Sequence, residues 1–181
     1  MKKYLAGLTL LALMASANAQ TLQLPPEYIG RTGGVTTEVC VTTTVTASSA
    51  YVTGNVVGGL ITLPNAFLIA NAGILQSVRV TSKSTQTAEF DVTFFSSIPS
   101  TTFTDKTAPA IAAADVALVQ PAIKLTNNYS GLGTHTVYGA DNINRGVKQV
   151  GSSAYAVITV VGTPTFTSTS DVQLCASWRQ D

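Results

Sequence analysis

Apolar and polar residues alternate with a period of two through much of this chain, the signature of strands with one buried face. From Val35 to Thr46, Val39, Val41 and Val45 fall on one side with Thr43 among them. Glu38, Cys40, Thr42 and Thr44 fall on the other. From Ile74 to Ser82, Val78 and Val80 oppose Ser77, Arg79 and Thr81. From Ala88 to Ser96, Phe90, Val92 and Phe94 oppose Glu89, Asp91, Thr93 and Phe95. The polar turn Ser84-Thr85-Gln86 separates these last two runs, so together they are expected to form a β-hairpin. Further strands are expected over Pro121 to Thr126, Thr134 to Gly139, Ala154 to Val161 and Asp171 to Trp178. The run from Ala154 is almost wholly apolar, which suits the centre of a sheet.

Breakers divide these runs. Gly54-Asn55 signals a turn, and Gly58-Gly59 inside an apolar run signals a bulge or a close backbone approach. Neither GxGxxG nor GxxxxGK[ST] is present, so these glycines do not read as a phosphate cradle. An alanine-rich stretch with Pro109 near its start predicts one short helix over Ala110 to Leu118. About eight short strands and one helix imply an all-β fold, an antiparallel β-sandwich of jelly-roll-like type. Residues 35–181 read as one domain. Pro25-Pro26, Gly30 and Gly33-Gly34 mark residues 20–34 as an irregular N-terminal arm.

The first nineteen residues follow a different pattern. Lys2 and Lys3 precede an apolar run from Leu5 to Met14, and Ala17-Asn18-Ala19 is a small-x-small cleavage signal. This is the layout of a secretory signal peptide cut after Ala19. The apolar run is shorter than the roughly 18 residues a membrane span needs. The expectation is a secreted protein that starts at Gln20 and has no membrane span.

Composition narrows the partners. Only 10% of residues are charged, against about 25% in an ordinary soluble domain. Loss of Lys2 and Lys3 leaves eight bases against nine acids, and no basic patch invites nucleic acid. Weak self-repulsion favours association, so a homo-oligomer or larger protein assembly is expected. The 27 threonines supply β-branched residues whose hydroxyls keep a strand face wet without charge.

The two cysteines, Cys40 and Cys175, occur in a chain marked for an oxidising compartment, where a disulfide is the first expectation. Each lies opposite the apolar row of its own strand. A bond between them requires the first and last core strands to be neighbours, with Cα atoms about 5.5–6 Å apart. Free thiols or a bridge between subunits are the alternatives. Two cysteines and one histidine without CxxC spacing do not complete a zinc site, and no metal or cofactor is expected.

Candidate chemistry is sparse. His135, the only histidine, begins a strand after Gly133-Thr134, and no motif supplies it with a nucleophile. Glu89 and Asp91 lie at i and i+2 on an outward face, where paired carboxylates of glycosidases have a formal parallel but a wetted strand face is the simpler reading. Asp171 follows Ser168-Thr169-Ser170 and is expected to hold that turn. Asn128-Tyr129-Ser130 matches a glycosylation acceptor and marks a surface loop. Trp178 shares a face with Val172 and Leu174, which assigns it to a core or an interface. No catalytic residue is named.

Three stretches carry a resemblance when taken together. They are Gly54 to Ala66 (GNVVGGLITLPNA), Leu75 to Thr81 followed by Phe103-Thr-Asp105 and Ala114-Asp115, and Gly162 to Val172 (GTPTFTSTSDV). Their order and spacing resemble small tailed-phage and prophage proteins associated with the virion. That resemblance implies a non-enzymatic, β-rich particle component of capsid-decorating type, here with a secretory leader added. The expected function is a structural subunit that self-assembles or decorates a larger assembly. The alternative is a secreted binding module for carbohydrate or a host surface.

Overall fold

In the computed structural model, which describes residues 34–126 and 128–180, every long alternating run is a strand. The leader over 1–19 and all but the last residue of the arm over 20–34 lie outside these residues. The strands are β1 (Val35–Thr42), β2 (Val56–Leu63), β3 (Ala72–Ser82), β4 (Glu89–Phe95), β5 (Val119–Leu125), β6 (Asn128–Leu132), β7 (His135–Ala140), β8 (Arg145–Lys148), β9 (Ala154–Val161) and β10 (Val172–Gln180). One helical turn, α1 (Ala113–Val116), precedes β5.

Two antiparallel sheets face each other. The first runs β1-β10-β3-β7-β6, with β8 also against β3; the second runs β2-β9-β4-β5. The chain pairs outside-in: β1 with β10, β2 with β9, β3 with β7, β4 with β5. This is a folded-over hairpin of strands, the double Greek key of a jelly roll. The apolar β9 lies between β2 and β4, as its composition requires.

β3 and β4 do not form a hairpin. They belong to different sheets, and Lys83–Ala88 carries the chain across the sandwich. Alternation fixes that two strands exist, not that they pair. The helix also falls short of its expected span. Only Ala113–Val116 is helical, and Val116 is exposed, so the alanine-rich stretch has no apolar stripe to bury. The glycosylation acceptor lies in the short strand β6 and not in a loop.

The inner faces meet in a core of aromatic and aliphatic side chains. Phe90 stands edge-on to Tyr138 across the two sheets, with ring centroids 4.8 Å apart. Trp178 is fully buried between Phe67 and Phe94. A second, smaller core lies on the outer face of the β2-β9-β4-β5 sheet. There Phe103, from the long connection after β4, covers Val56, Phe95 and Val157.

The disulfide between Cys40 and Cys175 forms on neighbouring strands in register. Thr43 N–H donates to the Val172 carbonyl, and its register with β10 continues that of β1. Hydrogen-bonded pairs alternate with non-bonded ones, so Cys40 and Cys175 face each other at a non-bonded pair, where backbones approach most closely. Their Cα atoms are 4.0 Å apart, closer than the separation expected from sequence.

Candidate functional site

Hydroxyl-bearing residues surround three aspartates, and each group fastens loops. Asp171, almost fully buried, accepts hydrogen bonds from Ser82 Oγ (2.6 Å), Ser84 N (3.2 Å) and Oγ (2.8 Å), and Thr167 N (2.9 Å) and Oγ1 (3.0 Å). Gln86 extends this group by donating to Ser84 Oγ and the Thr165 carbonyl. The cluster sits where β3 turns into the opposite sheet. It satisfies polar groups that would otherwise be stranded there.

Asp115 is held by Ser100 and Thr101 in the same manner, through both backbone N–H groups and both hydroxyls. Asp105 accepts from Thr46 N and Oγ1, from Tyr51 Oη, and from Gly58 N at 2.6 Å. The residues around Asp105 form a strap. Lys106 N–H donates to the Val56 carbonyl and Val56 N–H to the Thr107 carbonyl, so the open edge of β2 is covered at its start. Burial, reinforced by the Asp105 acceptor, pushes the Tyr51 hydroxyl far above its ordinary pKa, which keeps it a donor.

The aspartates make stability acid-sensitive. For Asp171 burial is the largest single influence and opposes ionisation, but the bonds from Ser82, Thr167 and Ser84 together outweigh it, and its pKa falls. The Thr101 hydroxyl, followed by Ser100, holds Asp115 down at about 2. Both are depressed below an unfolded value of about 3.9. Their stabilisation is therefore complete above that value and lost as pH falls through the folded values. The thermal midpoint should stay level from neutral pH to about 5 and drop most steeply between about 4 and 2. A midpoint unchanged down to about pH 2 contradicts this account.

The other candidates stay apart. His135 is exposed, with Nδ1 2.8 Å from the Lys83 carbonyl. Glu89 and Asp91 lie on the outer face of β4, and Asp91 pairs in register with Lys124 of β5. Glu38 lies close to both cysteine sulfurs. Those sulfurs are bonded to each other, so the trio offers no thiolate to a metal. A cleft of about 290 Å³ opens between Thr85–Ala88 and Val161–Pro164. Threonines and backbone line it, without an aromatic platform.

The opposite end of the sandwich is apolar. Connections 64–71, 96–118 and 149–153 meet there. Gln149 N–H donates to the Asn71 carbonyl, Val150 N–H to Ser96 and Phe67 N–H to Ser152. Leu68, Ile98 and Val150 project from these three connections, 63%, 64% and 78% exposed, and Ile69 is exposed beside Leu68. Backbone bonds hold their bases, so the tips form a ready surface. Single exposed apolar residues are ordinary; here four lie on adjoining loops. Sequence reading missed this end because the residues are scattered between positions 68 and 150, and no periodicity links them.

The Cys40–Cys175 pair is joined, Asp171 holds its turn through Thr167, and Trp178 is core. The structural roles of Asp105 and Asp115 were not foreseen. Compared with protein-family models, with curated proteins and with solved structures, the chain finds no match in any of the three.

Proposed function

We propose that this chain is a non-enzymatic structural subunit that builds, or decorates, a larger extracellular assembly through the apolar end of its sandwich. The observation that carries this reading is the exposure of Leu68, Ile69, Ile98 and Val150 on three mutually bonded connections. The acids best placed for chemistry, Asp105, Asp115 and Asp171, have their oxygens engaged in fastening loops. The disulfide fits an oxidising setting, in keeping with the leader-like first nineteen residues. A jelly roll is also the architecture of many viral shells, an analogy at the level of fold alone. It agrees with the resemblance to virion-associated phage proteins and does not choose between a viral particle and an exported surface layer.

Sedimentation velocity and negative-stain microscopy of the purified protein test the reading. The unmodified chain should associate as its concentration rises. Leu68→Asp combined with Val150→Asp should shift it to a smaller species. Both sites are exposed, so the thermal midpoint should hardly move. A chain that sediments as a monomer at every concentration removes self-assembly. The threonine-lined cleft supports the second reading, a binding module, and dose-dependent hits on a glycan array would favour it.

A further inference from the structure

The two sheets present several strand edges, and among the described residues β1 offers the longest regular one left open. Residues 105–107 cover the start of β2, at Val56 and Gly58, which leaves only a short stretch after its bulge. β5 carries Pro121 and Lys124, both poor partners for an incoming strand. β8 has four residues, and the Gln120 side chain accepts its Lys148 N–H. It is offset from β7 by a break at which Asn142 and Asn144 take positive φ. β6 has five residues and an irregular register with β7. β1 is different: eight residues, regular against β10, without proline, lysine or bulge.

The direction of its backbone groups follows from two observations. Thr43 and Val45 donate toward the β10 side, to Val172 and Thr169. Thr46 N–H points the other way, to Asp105 and Tyr51. N–H direction alternates along a strand. Odd residues of β1 therefore bond β10, while Thr36, Glu38, Cys40 and Thr42 direct their N–H and C=O outward. Asp105 closes this edge beyond Thr42, so the open length is set.

We propose that β1 pairs with β1 of a second copy, antiparallel about a two-fold axis, and joins two six-stranded sheets into one. This rests on the reading of the chain as a self-assembling subunit and names one of its interfaces. Outward-bonding residues must face one another, which leaves few registers. Placing Glu38 opposite Glu38 sets like charges face to face. Centring the pair on Val39 aligns Thr36 with Thr42 and Glu38 with Cys40, and it uses all four outward residues. It also sets the half-buried Val39 beside its own copy and Thr37 beside Val41, extending the core row across the junction.

Hydrogen exchange and cross-linking of the full chain test this. In the concentrated protein the amides of Thr36, Glu38, Cys40 and Thr42 should exchange on the order of tenfold more slowly than in the dilute protein. Those of Thr37, Val39 and Val41 should change little. Val39→Cys should form a covalent dimer on oxidation through residue 39 of each copy, whereas Val41→Cys should not. Peptide mapping distinguishes this bond from reshuffling with Cys40. Even-numbered amides that stay fast at every concentration overturn the pairing, even if particles form, and self-assembly through the apolar end then stands alone. Protection unchanged by dilution places a segment of the same chain on the edge and also overturns it. A Leu68→Asp, Val150→Asp chain that keeps the concentration-dependent protection shows β1 pairing to be independent of the apolar end.

Discussion

Replacing both Cys40 and Cys175 with serine should lower the thermal midpoint by about 10–20 °C, the largest effect of any change considered. The bond closes a loop of 135 residues. Chain entropy for such a loop gives about 5 kcal/mol, an upper figure because strain and residual unfolded structure reduce it. For a domain of this size each kcal/mol moves the midpoint by about 2–4 °C. Domains of this kind are stable by only about 5–15 kcal/mol, so the loss is a large fraction of the whole. Calorimetry with and without reductant separates this effect from side-chain packing. The unmodified protein should lose stability in reductant, while the double variant should be indifferent to it. A double variant that melts within about 2 °C of the parent places the stability elsewhere.

Gly58→Ala should cost about 3 kcal/mol or more, read as a lower urea midpoint. Gly58 has φ of +77°, a conformation that costs a side chain roughly 1–2 kcal/mol. An added Cβ would also lie 1.9 Å from Thr43 Oγ1, which donates to the Gly58 carbonyl. The outer side is closed as well, because Gly58 N–H is bound to Asp105 and a Cβ on Gly59 would meet the Phe103 carbonyl at 3.0 Å. The glycine pair is therefore held between the end of β1 and the strap. It makes the bulge at which β2 slips register against β9 between Val57 and Leu60. Thr43→Gly should be less than additive with Gly58→Ala, because it removes the steric part and leaves the backbone part. Full additivity would show that the clash is relieved by movement elsewhere.

The legible part of this fold is the part encoded by neighbours in sequence. Alternation placed Val39, Val41, Phe90, Phe94, Leu174 and Trp178 on the side facing the core. The same parity put Cys40 and Cys175 on matching faces, so their pairing was readable before any geometry. Gly58-Gly59 signals a bulge or a close approach, and it makes both. What alternation cannot carry is the sheet to which a strand belongs. The polar run after Ser82 reads as a hairpin turn, yet Ser82, Ser84 and Gln86 are polar because they bind Asp171 and Thr165 at a corner between sheets. The clasping roles of Asp105 and Asp115 gave no signal, since a carboxylate that binds distant backbone looks in sequence like any solvated acid. Strands β6 and β8 are too short to show a period, and the apolar end exists only after the loops are folded together.

The position of the disulfide also shapes how the molecule answers a mechanical load. Val35 and Gln180 are antiparallel neighbours, and Cys40 and Cys175 lie five rungs further in. Tension applied at those two positions would peel β1 from β10 one rung at a time. The peeling stops at the sulfurs after freeing five residues of β1, a reach of roughly 17 Å at full stretch, while β10 stays bonded to β3. Beyond that the force passes through a covalent bond and the two sheets stay closed. A protein loaded this way behaves as a short leash with a fixed stop.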